Sequence, residues 1–132
     1  KQMAEKFQKP VVVEDSGLFI TALKDFPGTS SAYIHKRIGL KGILKLMEGI
    51  EDRTALYKSA VAFCEPSKRP ISFLGTENGT ISTEIKGDYG FGHDPIFIPK
   101  DSEQTYGQMS NVEELKNFRR RAAEQLRRHL LR

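Results

Sequence analysis

Cysteine is nearly absent from this 132-residue sequence, in which Cys64 is the only one. A lone cysteine excludes a disulfide within the chain and a zinc site built from several cysteines, and it fits a reducing cytosol. No apolar run approaches the roughly 20 residues that span a bilayer. The three histidines (His35, His93 and His129) lack metal-binding spacing. We therefore predict a cytoplasmic protein without a membrane segment.

An initial methionine is also missing, because the sequence starts at Lys1. We expect either a processed chain or a fragment whose true beginning lies upstream. Repeats, low-complexity stretches and linkers are absent. With 38% hydrophobic and 29% charged residues, the composition is typical of one globular domain over residues 1–132. A chain of this length buries about two thirds of its unfolded surface and needs no structural metal to fold.

Positive charge is concentrated in the C-terminal segment 116–132. This segment carries seven cations against the single anion Glu124, while the whole chain has a net charge of +4. The remainder of the chain is therefore slightly acidic. A basic segment suits a polyanionic partner, either nucleic acid or a nucleotide phosphate, but it is also typical of a solvated helix face.

Residue patterns in the first half of the sequence alternate between helix and strand. Residues 1–8 resemble the end of a helix that a proline stops. Val11–Val13 is a β-branched run typical of a short strand buried on both faces, and we expect it to end at residues 14–17. Apolar residues at helical spacing predict a helix over 40–47, and period-two alternation predicts a long strand over 54–64.

The second half begins with an expected β-hairpin over residues 71–85. Its signal is Asn78-Gly79, a pair that favours a type I′ turn. A glycine-rich loop over 87–94 then leads into a short strand. Residues 110–113 match a capping box that opens the last helical region, and Asn117 is a suitable cap for a second, separate helix.

Two adjacent carboxylates, Glu14 and Asp15, form the first candidate site together with Ser16. Open α/β sheets bind ligands where strands end. Because neighbouring strand residues point to opposite faces, one carboxylate is expected to be the direct ligand of an ion, and Asp15, nearer the turn, is favoured. Carboxylate oxygens suit Mg²⁺. The alternative is that Asp15 and Ser16 serve only as turn and cap residues.

The glycine-rich loop is the second candidate site. Phe91 offers a ring for stacking, and Asp94 can accept hydrogen bonds from a base or sugar. His93 is either a contact to the base or a surface residue. The glycines are explained equally well by a connection between strands, so the loop alone does not identify a ligand.

A third candidate site is the cationic group formed by Lys116 and Arg119 to Arg121. Arginine donors match phosphates and the acceptor edge of a purine. Consecutive residues on a helix point about 100° apart, so one ligand can meet about two of the three arginines.

Taken in order, five stretches of the sequence resemble the inosine triphosphate pyrophosphatase family, also called Ham1-like. These are residues 13–18, 26–32, 42–46, 90–97 and 104–109. The resemblance implies an elongated α/β fold in which helices flank a central mixed β-sheet, truncated here at its N-terminus. It also implies a homodimer and the Mg²⁺-dependent hydrolysis of ITP, dITP and XTP to the monophosphate and pyrophosphate.

The same resemblance implies roles for individual residues. Asp15 matches the family's metal ligand and base for the attacking water, with Glu14 beside it as a further metal ligand and Ser16 as a substrate contact. Phe91 matches the ring that stacks on the purine. The other predicted substrate contacts are Gly92, His93, Asp94, Lys116, Arg119 and Arg120.

The sequence departs from the family pattern at three places. The family's Gly-Asn-x-x-Lys phosphate loop and a metal-binding Glu would both precede Lys1. The Lys and the Ser-His-Arg that hold a 6-oxo purine correspond, counted from Met109 without gaps, to Glu114 and residues 118–120, of which only the Arg is kept. Gln108 replaces a usual Glu. We therefore expect weak or absent activity in this chain.

Two alternatives to this enzyme stay open from the sequence. One is a pyrophosphatase that prefers another modified nucleotide. The other is a non-catalytic module that binds nucleotides or nucleic acid through the basic C-terminal helix. Nucleic acid is disfavoured, because Phe118 is the only aromatic residue among the arginines and it lies on the apolar stripe of the helix.

Overall fold

The computed structural model describes residues 11–131, which form a five-stranded sheet with helices packed against one face. The strands are β1 (Val11–Ile20), β2 (Phe26–Gly28), β3 (Thr54–Cys64), β4 (Ile71–Ile81) and β5 (Phe97–Pro99). Their order is β2-β1-β3-β4-β5. The predicted α/β class and the long strand β3 are confirmed, but all pairs within residues 11–131 are antiparallel rather than mixed.

Three helices accompany the sheet: α1 (Ser31–Leu46), α2 (Val112–Leu115) and α3 (Phe118–Leu130). The helix expected over 40–47 is the second half of α1, which is interrupted at Gly39, where φ is 67° and ψ is −171°. The break expected at Asn117 separates α2 from α3. The helix end expected over residues 1–8 lies outside the described residues. Within residues 11–131, no helix has the length and apolarity to cross a membrane.

The first strand differs from its prediction in length and in burial. It does not end at residues 14–17 but continues to Ile20, because it pairs with β3 without interruption from Val11↔Cys64 to Ile20↔Ala55. It is not buried on both faces either, since Val12 is 55% exposed and Val13 is 40% exposed. The helices cover only part of the sheet. The two candidate carboxylates therefore lie within a strand rather than at its carboxyl end.

The hairpin expected at Asn78-Gly79 is absent from the described residues, because β4 runs straight through both residues. A Cβ on Gly79 would lie 2.3 Å from the backbone oxygen of Ile98 and 2.7 Å from the ring of Phe97. The glycine thus allows β5 to approach β4 closely. This contact between distant parts of the sequence outweighs the local turn preference of the pair.

A stack of aromatic rings joins the sheet to the helices. The ring centroid of Tyr57 lies 4.1 Å from that of Phe97 and 5.1 Å from that of Phe118. Leu18 on β1 and Ile43 on α1 are fully buried in the same core. Tyr57 and Phe118 belong to this core, and both also line a cavity.

Candidate active site

A cavity of about 280 Å³ opens where β1, the start of α1, the glycine-rich loop and the start of α3 meet. Ser31 fixes the start of α1 there. Its Oγ accepts a hydrogen bond from the Leu18 amide at 2.7 Å and donates one to the Gly28 carbonyl at 2.6 Å. The cavity is lined by Ser16, Gly17, Leu18, Ser31, Ala32, His35, Tyr57, Phe91, Gly92, His93, Lys116, Phe118 and Arg119.

The two candidate carboxylates lie on opposite faces of β1. The Ser16 hydroxyl lines the cavity and donates a hydrogen bond of 3.3 Å to Glu14 Oε1, so Glu14 is on the cavity face. Asp15 alternates with them and points to the other face, opposite Ala60 of β3. Both carboxylates are exposed. Among the described residues, β2 pairs with β1 only from Leu18 to Ile20. The part of the same strand edge that carries the two carboxylates has no strand of residues 11–131 beside it.

The carboxylate of Asp94 is fully buried and holds the glycine-rich loop in place. Its Oδ1 accepts a hydrogen bond of 2.7 Å from the Tyr57 hydroxyl, and its Oδ2 accepts one of 3.1 Å from the Phe91 amide. Lys116 Nζ is the third partner of this carboxylate and lies 2.6 Å from Oδ2. The sequence predicted that Asp94 would contact a base or sugar. Both of its oxygens already have partners within the protein, through which it positions Phe91, and a direct contact with the base or sugar stays a prediction.

Burial and this carboxylate act together on the Tyr57 hydroxyl. Desolvation, followed by the negative charge and hydrogen bond of Asp94, raises the pKa of Tyr57 well above its ordinary value. The hydroxyl therefore stays protonated and remains a donor to Asp94 at any physiological pH. Tyr57 lines the cavity, whereas the sequence predicted only that it lies on the long strand.

Two cations lie over the ring of Phe91, which is 53% exposed. Lys116 Nζ is 3.9 Å from the ring centroid, and the guanidinium carbon of Arg119 is 5.4 Å from it. Arg119 Nε also lies 3.5 Å from Glu14 Oε1. The predicted contacts Phe91, Lys116 and Arg119 are thus brought together with Glu14 and Ser16 in one place.

The other predicted arginine of the site, Arg120, points away from the cavity. Its Nη2 donates a hydrogen bond of 2.7 Å to the carbonyl of Glu114 at the end of α2. Arg121 Nη1 donates one of 2.6 Å to the carbonyl of Thr76 on β4. Both side chains therefore join helix α3 to neighbouring elements, because consecutive positions on a helix diverge by about 100°.

The start of α3 is held by a second buried carboxylate. Glu77 Oε1 accepts a hydrogen bond of 2.6 Å from the amide of Asn117, and its other oxygen accepts one from the Tyr106 hydroxyl. Burial and this carboxylate raise the pKa of Tyr106. Gln108 forms a capping box with Thr105 on the preceding turn. These contacts fix the position from which Lys116 and Arg119 reach the cavity.

Two histidines stand together in the cavity wall. His35 and His93 contact each other edge to face, with ring centroids 5.1 Å apart. His93 is buried, and its Nε2 has no hydrogen-bond partner within residues 11–131. Desolvation, reinforced by His35 and partly offset by Asp94, lowers the pKa of His93 to about 4. The sequence did not single out His35, although it follows Ser31 by one helical turn and so shares its face.

The part of the chain that the structure describes contains no group of three or more His, Cys, Asp or Glu side chains arranged to hold a metal. A magnesium ion does not need such a group, since it binds one or two carboxylates and completes its shell with water and substrate phosphates. Glu14, whose carboxylate accepts a hydrogen bond from the cavity residue Ser16, has the oxygen donors that would fit such an ion.

Comparison with known proteins gives consistent matches. The family model of the Ham1 family matches residues 1–129. A protein of Methanopyrus kandleri named dITP/XTP pyrophosphatase is 50% identical over 113 residues, covering 86% of this chain and 60% of that protein. One with the same name from Methanothermobacter marburgensis is 53% identical over 104 residues, covering 79% of this chain and 56% of its own length.

Solved structures match as well. The Staphylococcus aureus Ham1 protein superposes with a TM-score of 0.86 at 30% identity, covering 98% of this chain and 70% of that chain. A HAM1 protein from Coxiella burnetii gives a TM-score of 0.83 at 29% identity, covering 97% and 70% respectively. The chain spans about three fifths of the length of the curated relatives it matches.

Proposed function

This chain belongs to the Ham1 family, and from that premise we propose that it binds ITP, dITP and XTP and hydrolyses them to the monophosphate and pyrophosphate. The observation that carries the proposal is the cavity, which is lined by the ring of Phe91 and the cations Lys116 and Arg119. The carboxylate of Glu14 lies next to it, in contact with Ser16 and Arg119. The names of the curated relatives, dITP/XTP pyrophosphatase, agree with it.

The two cations suit a purine that carries an oxygen at position 6. Lys116 and Arg119 have only hydrogen-bond donors, so they match a carbonyl acceptor and disfavour an amino group at that position. Both lie over the ring of Phe91, at 3.9 and 5.4 Å from its centroid, so a base that stacks on this ring would be close to their donors. We expect ITP and XTP to bind more tightly than ATP for this reason.

The edge of β1 that no strand within residues 11–131 covers suits the triphosphate. A phosphate chain that leaves the cavity past Ser16 would lie over this edge, with Glu14 on one side and Asp15 on the other. Glu14 would hold Mg²⁺ together with the phosphates, and a bound Mg²⁺ neutralises charge at the attacked anhydride. The family resemblance implies that Asp15 both binds the metal and accepts the proton of the attacking water. Because Asp15 points away from the cavity face that carries Glu14, we assign it the second of these roles.

The basic helix is better explained by packing than by nucleic-acid binding. Arg119 faces the cavity, and Arg120 and Arg121 bind backbone carbonyls. Arg127 and Arg128 form ion pairs with Glu124. The alternative of a binding module that uses this helix is therefore not favoured.

The proposal is tested by pairing nucleotide binding with pyrophosphate release in the presence of Mg²⁺. We expect roughly tenfold tighter binding of ITP and XTP than of ATP, the effect of one well-placed hydrogen bond. We also expect slow pyrophosphate release. Asp15→Asn should abolish release without weakening ITP binding, whereas Glu14→Gln should reduce both. A chain that binds no purine nucleoside triphosphate would contradict the proposed function.

The assembly and location of the protein are further proposals from the family resemblance. We propose a homodimer, a cytoplasmic location, and a role for residues 1–132 as the C-terminal portion of one Ham1 domain. Light scattering of the purified chain at several concentrations tests the dimer. A mass that stays at 14.9 kDa throughout would contradict it.

A further inference from the structure

Ser59 on strand β3 carries a buried hydroxyl without a partner. The residue is 0% exposed, and its Oγ has no hydrogen-bond partner within residues 11–131. Helix α3 packs tightly at this point, because a Cβ on Gly75, the residue opposite Ser59 on β4, would lie 1.8 Å from the backbone oxygen of Phe118. Buried polar atoms nearly always have a partner, so this hydroxyl calls for an explanation.

Ser16 is the residue directly opposite Ser59 on β1. Directly paired residues of antiparallel strands share a face of the sheet, with Cβ atoms about 4.5–5.5 Å apart, and hydroxyl side chains in such pairs can form a hydrogen bond. Ser16 lines the cavity, and so does Tyr57, two residues before Ser59 on the same face of β3. The unpartnered hydroxyl is therefore buried next to the cavity wall.

We propose that Ser59 is a positioning residue, which donates a hydrogen bond to Ser16 Oγ when a nucleotide is bound and so directs the Ser16 hydroxyl at a phosphate oxygen. The inference rests on the proposed function and adds a residue to it. In the structure, the Ser16 hydroxyl donates its one hydrogen to Glu14 Oε1 over 3.3 Å, which is long for this type of hydrogen bond. Its oxygen also has two acceptor lone pairs, which the Ser59 hydroxyl can meet by rotating about a single side-chain bond.

A phosphate oxygen is the ligand atom that suits this pair of hydroxyls. When Ser59 donates to Ser16, the Ser16 hydrogen is directed away from Ser59, so the pair presents a donor to the ligand. Phosphate oxygens are strong acceptors, and the proposed path of the phosphate chain passes Ser16. Neither hydroxyl is charged, so their contribution is orientation rather than long-range attraction.

The variant Ser59→Ala removes the hydroxyl and nothing else. An unpartnered buried hydroxyl is unfavourable in the free protein, so its removal should leave the melting temperature unchanged or raise it. Ser72→Ala is the matched control, because Ser72 is an exposed serine of the same sheet that pairs with Ala62 rather than with a cavity residue. The control should bind all ligands as the unsubstituted chain does.

Three probes locate the effect when Mg²⁺ is present throughout: ITP, inorganic tripolyphosphate and inosine. We expect Ser59→Ala to weaken ITP and tripolyphosphate about fivefold, the effect of one hydrogen bond. Inosine, which lacks phosphates, should bind within about twofold of its original affinity. Ser59→Cys, which keeps a weak donor of similar size, should recover part of the loss.

A double-mutant cycle separates positioning through Ser16 from any other role of Ser59. Once Ser16→Ala has removed the group that Ser59 directs, adding Ser59→Ala should change the affinity for tripolyphosphate by less than about twofold. A residue that merely supports the packing of the sheet would weaken binding to the same extent in both backgrounds.

Three results would overturn the inference. The first is unchanged affinity of Ser59→Ala for ITP and tripolyphosphate, and the second is an equal effect of Ser59→Ala with and without Ser16→Ala. The third is a lower melting temperature of Ser59→Ala, which would mean that the hydroxyl already has a partner, such as a buried water molecule, in the free protein. A failure of the proposed function is distinct from all three, because the unsubstituted chain would then bind neither ITP nor XTP.

Discussion

Lys116 and Asp94 form a buried ion pair in which Nζ lies 2.6 Å from Oδ2, with side-chain exposures of 7% and 0%. The two residues belong to different parts of the chain: Asp94 opens the turn after the glycine-rich loop, and Lys116 stands between α2 and α3. The pair therefore ties the loop that carries Phe91 to the start of the basic helix. Both sides of the cavity depend on it.

Asp94→Asn should be strongly destabilising. The substitution leaves the buried Lys116 ammonium without its counterion, which typically costs about 3–5 kcal/mol. Glu65→Gln is a suitable control, because Glu65 pairs with Lys68 at 2.9 Å on the surface, where such pairs contribute about 0–1 kcal/mol. Urea denaturation of both variants measures the difference. Equal losses of unfolding free energy would show that the buried pair stabilises the protein no more than the surface pair does.

The same pair shows how far the sequence determines the site. The chemistry of Phe91, Lys116, Arg119 and Glu14 could be predicted, because residue type and family motif indicate stacking rings, cations and carboxylates. The contacts that these side chains make within the protein could not be predicted. Whether Asp94 meets a ligand or Lys116 depends on the break between α2 and α3, and the sequence indicates that break only as a suitable cap at Asn117.

Gly75→Ala should loosen helix α3. A Cβ at this position would lie 1.8 Å from the backbone oxygen of Phe118, at the first turn of the helix. Backbone cannot yield as a flexible side chain can, so the helix must shift, at a cost of about 1–3 kcal/mol. Thr76→Ala, on the opposite face of the same strand, is the control. Thermal melting checks both, and equal melting temperatures would refute the close contact.

Strand β3 and Gly79 show where sequence-based prediction succeeds and where it fails. The long strand β3 alternates buried and half-buried residues along most of its length, a local pattern that is readable directly. The sequence predicts a turn at Gly79 because an Asn-Gly pair favours one. In the structure, Gly79 instead allows Phe97 and Ile98 to approach the strand closely. The backbone conformation at such positions depends on contacts between residues distant in the sequence. Local propensity carries no information about those contacts.

Arg121 and Gln125 together should protect the edge of β4. Arg121 Nη1 donates to the carbonyl of Thr76 at 2.6 Å, and Gln125 Nε2 donates to that of Leu74 at 2.8 Å. Free carbonyls on a strand edge invite pairing with another chain. The double variant Arg121→Ala, Gln125→Ala should therefore self-associate more strongly in sedimentation or light scattering.

A charge-matched control separates this effect from a simple loss of positive charge. Arg128→Ala removes one cation from the same helix, but that side chain is exposed and pairs with Glu124. We expect its self-association to equal that of the unsubstituted chain. Similar association of both variants would show that net charge, and not the covered strand edge, limits self-association beyond the proposed dimer.

Acid should destabilise the protein through His93. Burial and the neighbouring His35 lower its pKa from 6.5 to about 4, and Asp94 opposes the shift only in part. Between these values the unfolded chain binds a proton that the folded chain refuses, so the unfolding free energy falls as the pH falls. This loss of stability is small above pH 6.5, grows as the pH falls towards 4, and reaches about 2 kcal/mol by pH 5.

His93→Phe removes this titration and isolates it from all other acidic groups. The difference in unfolding free energy between the variant and the unsubstituted chain should shift by about 2 kcal/mol in favour of the variant between pH 7 and pH 5. Denaturation at several pH values measures it. Because the other titrating groups are common to both chains, parallel curves would mean that His93 protonates equally easily in the folded and unfolded states.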